Sequence, residues 1–159
     1  MKKIILIAAL VFGVAFAASA QPRAVGGRVL GNGFDASYQH YVGGENFVEA
    51  NLGLFCYTYA LEAGATYNFM LAQPAWTARG EWGVYAGPGV TLGLDFAGRN
   101  EFVFAALGQV GLEYTFWFPL QLSVDLRPQI GIAAGKGGVR FYEEGLLGFV
   151  PTIGVRYRF

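Results

Sequence analysis

The sequence predicts an all-β fold: an eight-stranded antiparallel up-and-down barrel, transmembrane, with a side-chain-filled lumen. Three observations point to it. Apolar and polar residues alternate with period two over long stretches, the pattern of a strand with two unlike faces. Turn-forming residues punctuate those stretches at short intervals. Only 14% of the 159 residues are charged, while 54% are hydrophobic and 16% aromatic. A solvated surface usually has about 25–35% of its positions charged.

The first 20 residues stand apart from the fold. Lys2 and Lys3 form a positive start, 4–17 is apolar, and Ala18-Ser19-Ala20 is a small-residue cleavage site. This is the layout of a cleaved signal peptide over 1–20, leaving 21–159 as a single barrel domain. The apolar run falls short of a comfortable membrane span of about 20 residues. Gln21 follows the site, not Cys, so lipoprotein processing is not indicated. Without Lys2 and Lys3 the chain has 9 basic against 11 acidic residues, and Lys136 is its only lysine. That balance, with no basic stripe, argues against nucleic acid as a partner. The apolar load excludes a disordered chain. Cys56 is the only cysteine, so no intrachain disulfide is possible, and it reads as a small apolar strand residue.

Strands are expected at 23–30, 34–42, 47–55, 57–69, 79–94, 101–116, 120–133 and 147–159. The first ends at Gly31-Asn32-Gly33 and the second at Gly43-Gly44-Glu45-Asn46. The break near Cys56 lacks Gly and Pro, and Gln73-Pro74 follows the fourth strand. In 79–94, Trp82, Val84, Val90, Leu92 and Leu94 oppose Glu81, Gly83, Tyr85, Thr91 and Gly93. Gly98-Arg99-Asn100 leads into 101–116, where Phe102, Phe104, Val110, Leu112 and Tyr114 oppose Glu101, Gln109, Gly111, Glu113 and Thr115. After Phe118-Pro119 comes the cleanest strand: Leu122, Val124, Leu126, Ile130 and Ile132 against Gln121, Ser123, Asp125, Arg127 and Gln129. The glycine-rich stretch 135–145 reads as a loop, and 147–159 alternates to the last residue.

Alternation alone does not say which face is outside, since a soluble lipocalin-type barrel alternates too. Three features set the apolar face outward. The polar face is mostly Gly, Thr, Ser and Gln with a few acids and arginines, and no lysine falls on an expected strand. Glycines such as Gly83, Gly87, Gly89 and Gly93 on one face suit a crowded lumen. Strands of this length exceed the soluble mode of about 5–6 residues and suit a tilted membrane strand, which needs about 9–11. The aromatics fall near two sets of strand ends, as interfacial girdles do. Trp76, Trp82, Phe116, Trp117, Phe118, Tyr157 and Phe159 form one set. Phe55, Tyr57, Tyr59, Phe96, Phe102, Phe141 and Tyr142 form the other.

The ending carries a resemblance. Residues Thr152, Gly154, Tyr157 and Phe159, spaced as polar, x, Gly, two residues, aromatic, x, terminal aromatic, look like the C-terminal assembly signal of bacterial outer-membrane barrels. With the leader and eight strands, the chain is similar to small barrels of the OmpA transmembrane-domain and OmpX type, and to the outer-membrane β-barrel proteins of Bacteroidota. The resemblance implies a Gram-negative outer membrane, a monomer, contact with outer-membrane lipids and lipopolysaccharide, and insertion by the barrel-assembly machinery. A periplasmic peptidoglycan-binding domain and long protruding hairpins are not expected.

An eight-stranded interior is only wide enough for side chains to fill. Arg28, Glu49, Glu81, Glu113, Asp125, Arg127, Arg156 and Arg158 are expected to line it, mostly toward the periplasm, with Glu62 nearer mid-barrel. Asp125, Arg127, Arg156 and Glu113 are expected within reach of one another across neighbouring strands. This charge network reads as a structural plug rather than a gated ion path. His40, the only histidine, reads as an interface residue beside Tyr38 and Tyr41. No catalytic set, metal site, nucleotide motif or cofactor is indicated. The expected role is therefore a non-catalytic envelope-integrity or surface-interaction barrel. The alternatives are a narrow pore for ions or very small solutes and, behind it, a lipid-modifying outer-membrane enzyme.

Overall fold

A computed structural model describes residues 22–30, 33–55, 60–96, 100–143 and 150–159 of the chain. The expected leader and Cys56, Tyr57 and Tyr59 lie outside the described residues. The strands are β1 (Pro22–Leu30), β2 (Gly33–Gly43), β3 (Asn46–Phe55), β4 (Ala60–Ala72) and β5 (Glu81–Asp95). They continue as β6 (Phe102–Thr115), β7 (Leu120–Leu126), β8 (Gln129–Gly135), β9 (Gly138–Tyr142) and β10 (Thr152–Arg158). From β1 to β6 each strand pairs antiparallel with its successor. β6 pairs with β7 along one half and β8 along the other. β10 pairs with both β7 and β1, running from Ala24↔Arg158 to Val29↔Ile153, and so closes the sheet. With β7 and β8 in line as one stave and β9 and β10 as another, the ten strands make the predicted eight-stranded up-and-down barrel.

Local chemistry explains where the elements depart from expectation. The run expected at 120–133 is interrupted at Arg127-Pro128, because Pro128 has no N–H to give the ladder; its carbonyl still accepts from the Gly108 N–H at 3.0 Å. Part of the stretch expected as a loop forms β9, where Val139, Arg140 and Phe141 pair with Ala134, Ala133 and Ile132. Strand formers won over the glycines that flank them. The last strand is regular from Thr152, and the fourth, described from Ala60, runs on to Ala72. The turn between β2 and β3 needs its glycines, since Gly44 sits at φ 57°. Inside β5, a Cβ on Gly87 would come within 1.7 Å of the Tyr67 carbonyl oxygen.

Side chains alternate between two very different environments. In β6, Val103, Leu107, Gln109, Glu113 and Thr115 are buried, while Phe102, Phe104 and Val110 are exposed. The same holds in β7, with Gln121, Ser123 and Asp125 buried between exposed Leu122 and Val124. Among the described residues the interior contains a small apolar cluster of Val103, Ala105 and Ala133, and a buried ring pair, Phe47 and Tyr85. Most of the remaining buried set is polar or charged.

At the rim that holds the chain's C-terminus, aromatic rings touch in series. Trp76 lies 5.3 Å from Trp82, Trp82 4.8 Å from Tyr114, and Tyr114 4.7 Å from Phe116. Phe116 meets Trp117 and Phe118, and Tyr157 meets Phe159 at 5.4 Å. Toward the other rim Phe96, Phe102 and Phe141 are exposed.

Candidate functional site

The buried charges are the feature of this interior that needs explanation, because ionised side chains are almost never fully buried unless paired. Glu49, on the inner face of β3, is 0% exposed and lies at their centre. It accepts hydrogen bonds from Ser37 Oγ at 2.9 Å, Gln39 Nε2 at 3.1 Å and Gln109 Nε2 at 3.3 Å. Arg156 Nη2 and Arg28 Nη1 approach it at 3.0 and 3.1 Å. Arg28 also grips Asp35 with two parallel bonds of 2.9 and 2.8 Å, and reaches Asp125 at 3.2 Å. Such two-pronged contacts are the strongest form of the arginine–carboxylate pair. Arg156 fills its remaining donors on Ser37 at 2.8 Å and Ser123 at 2.7 Å.

Two satellites extend this centre. Toward the C-terminal rim, Arg23 grips Glu113 with two donors and also bonds Gln39, while its guanidinium stacks 4.1 Å from the Phe47 ring centroid. Gln121 Nε2 adds a bond to Glu113 at 3.1 Å. In the other half, Arg127 donates to Asn51 at 2.8 Å and lies 3.9 Å from Asp35. Glu62 accepts from Gln129 at 2.8 Å. The two rims carry their own ion pairs, Arg158–Glu81 at 3.0 Å and Arg140–Glu101 at 2.7 Å.

The residues singled out by sequence therefore divide. Arg28, Glu49, Glu62, Glu113, Asp125, Arg127 and Arg156 are buried in the interior. Glu81, expected inside, has a side chain 70% exposed at the rim, because β5 begins with it; Arg158, its partner, is 25% exposed. Glu62, expected near mid-barrel, is the third residue of β4 and lies away from the terminal rim. The expected cluster of Asp125, Arg127, Arg156 and Glu113 is replaced by pairs across the lumen. Arg127 turns to Asn51, Glu113 takes Arg23, Arg156 takes Glu49, and Asp125 takes Arg28.

Sequence reasoning missed Arg23 and Asp35. Asp35 had a signal, since Asp35, Ser37 and Gln39 repeat with period two on the buried face of β2. Arg23 had none: it stands five residues from Arg28, on the opposite face of a regular strand. A register shift between Pro22 and Ala24 turns both arginines inward.

Within the C-terminal octapeptide, Thr152 is buried and its Oγ1 donates to Asp125 at 2.8 Å. A Cβ on Gly154 would stand 2.4 Å from Ser123 Oγ. Tyr157 and Phe159 are exposed on the outer face. Two of its four signature positions thus serve the lumen. His40 meets Tyr38 through Nδ1 at 3.2 Å. Among the described residues, no group of three His, Cys, Asp or Glu side chains could hold a metal ion. Chemically, the described interior offers arginine–carboxylate pairs that share several partners, and one buried carboxylate, Glu62, held by Gln129.

No protein-family model, curated protein or solved structure matches this chain.

Proposed function

We propose that this chain is an integral outer-membrane barrel of a Gram-negative bacterium. It is monomeric and non-catalytic, and serves envelope integrity or surface interaction while its interior network keeps the lumen closed. The observation that carries this reading is the inversion of the two faces: guanidinium and carboxylate groups inside, and exposed Val, Leu, Ile and Phe around the outside. Soluble monomers rarely expose contiguous apolar patches beyond a few hundred Å², whereas a bilayer-spanning barrel requires an apolar outer band between aromatic girdles. The exposed Ile130, Ile132, Val124, Ile153 and Val155 lie on adjoining strands and supply such a band. Outer-membrane lipids, lipopolysaccharide and the barrel-assembly machinery are the partners this reading entails.

The test is extraction and gel mobility. The mature protein should stay in the membrane fraction through an alkaline wash, and should migrate differently on a gel before and after boiling. A monomer that remains soluble without detergent would overturn the reading. Planar-bilayer recordings should give near-zero conductance; stable ion current would replace the closed barrel with a pore.

A further inference from the structure

We propose that Arg79, held against Trp117 at the C-terminal rim, binds the headgroup phosphate of an anionic phospholipid. The inference rests on the membrane reading above and adds a ligand to it. The loop 73–80 that carries Arg79 is tied to the aromatic series. Trp82 Nε1 donates to Thr77 Oγ1 at 3.1 Å, and Thr77 Oγ1 and Tyr114 Oη both donate to the Arg79 carbonyl, at 2.7 and 2.9 Å. Gly80, at φ 75°, turns the chain into β5. The Arg79 guanidinium then lies 5.9 Å from the Trp117 ring centroid, in cation–π range.

What distinguishes Arg79 is that it has no anionic partner among the described residues. Every other described arginine has a carboxylate within 4 Å; among the described residues, the Arg79 guanidinium has neither a carboxylate nor a hydrogen-bond acceptor. The nearest acid in sequence, Glu81, is engaged by Arg158 at 3.0 Å. Five donors in a planar fork are thus open at the tryptophan level, where lipid phosphates lie. The fork matches a phosphate geometrically, and the charge selects an anionic lipid over a zwitterionic one. Exposed Trp76 and Trp117 flank the site as ring surfaces for the glycerol and upper acyl region. The exposed residues of this rim also include aliphatic Val42 and Leu71 and aromatic Tyr157 and Phe159.

All three tryptophans of the chain, Trp76, Trp82 and Trp117, belong to this series, so intrinsic fluorescence reports on it directly. The mature protein would be refolded into phosphatidylcholine vesicles containing a minor fraction of dibrominated phosphatidylglycerol or dibrominated phosphatidylcholine as contact quencher. Phosphatidylglycerol should be preferred about fivefold, the worth of one basic residue at an anionic lipid surface. The preference should vanish in Arg79→Gln, persist in part in Arg79→Lys, and shrink in about 1 M salt. Boiled and unboiled gel mobility would establish that each variant is folded. Equal quenching by the two lipids, or an unchanged preference in folded Arg79→Gln, overturns the lipid site and leaves the membrane reading standing. No quenching by either lipid overturns both. Loss of the preference on adding inorganic phosphate at matched ionic strength would assign a free-anion site and overturn the lipid proposal.

Discussion

Along β10, Thr152 and Arg156 are each 1% exposed, while Ile153 and Tyr157, one residue further on, are 58% and 53% exposed. The inner and outer walls of one strand obey different rules. Inside, stability depends on directional pairs in which each member is needed by several others, so a single loss leaves a charge without a counterpart. Outside, contacts are apolar and non-directional, and one side chain can shrink without stranding another. The comparison predicts that inner truncations are costly, outer truncations mild, and outer charges costly only if the outer wall meets lipid.

Glu49→Ala tests the inner wall where the effect should be largest. It would leave Arg28 and Arg156 without the carboxylate they share. Removing one partner of a buried pair typically costs about 3–5 kcal/mol. Urea titration of the refolded barrel should therefore show a strongly lowered midpoint. An unchanged midpoint would mean that the interior charges contribute little.

Arg127→Ala and Leu126→Ala compare adjacent residues on opposite faces. Arg127 has one hydrogen bond of 2.8 Å and a carboxylate at 3.9 Å, so its loss belongs near the low end, about 3 kcal/mol. If the outer wall meets lipid as proposed, Leu126→Ala would give up only some of its burial there, about 1–2 kcal/mol. The arginine variant should also raise planar-bilayer conductance above the wild-type level, since a guanidinium leaves the lumen. If the leucine variant is the less stable, the division of labour between the faces fails.

Val124→Arg is the sharpest test of what the outer wall touches. Val124 is 49% exposed and lies between buried Ser123 and Asp125. An arginine on the lipid face costs about 2–4 kcal/mol near the bilayer midplane and almost nothing near an interface. Refolding into vesicles should show a loss in that range. A variant as stable as the wild type would place this stretch in water.

The same contrast explains what could be read from the sequence. The inner and outer phase of β6 and β7 was legible because one-residue alternation is a local property: Gln121, Ser123 and Asp125 declare a face by spacing alone. Partner choice was not legible, because it depends on how far strands slide past one another as the barrel closes. That is why Arg127 meets Asn51, 76 residues away, and not Asp125. Arg23 was hidden by the irregularity at the start of β1, and β9 by the glycines around it. Glu81 stands exposed at the rim because it begins β5, and a strand's first residue is only half committed to a face.

Phe159 should show the smallest energetic effect and the largest separation between stability and biogenesis. Its ring is 65% exposed and touches one other ring, Tyr157, at 5.4 Å. Its backbone N–H donates to the Arg23 carbonyl at 3.3 Å, a bond that an alanine at this position keeps. Phe159→Ala therefore removes one aromatic contact, about 0.5–1.5 kcal/mol, and the purified variant should refold in detergent almost as well as the wild type. If the terminal aromatic is read by the assembly machinery, the same substitution should sharply lower the amount inserted in cells, with degradation in the periplasm. Thr152→Val is the counterpart: it removes the Oγ1 bond to Asp125 inside the lumen and leaves the outward aromatics in place. That variant should lose stability in detergent by about 1.5–3 kcal/mol, as a hydrogen bond to a charged group does, while inserting at near-normal levels. Opposite orders in the two assays, Phe159→Ala worse in cells and Thr152→Val worse in detergent, would separate a recognition element from a packing element within one octapeptide. The same order in both assays would reduce the octapeptide to packing alone.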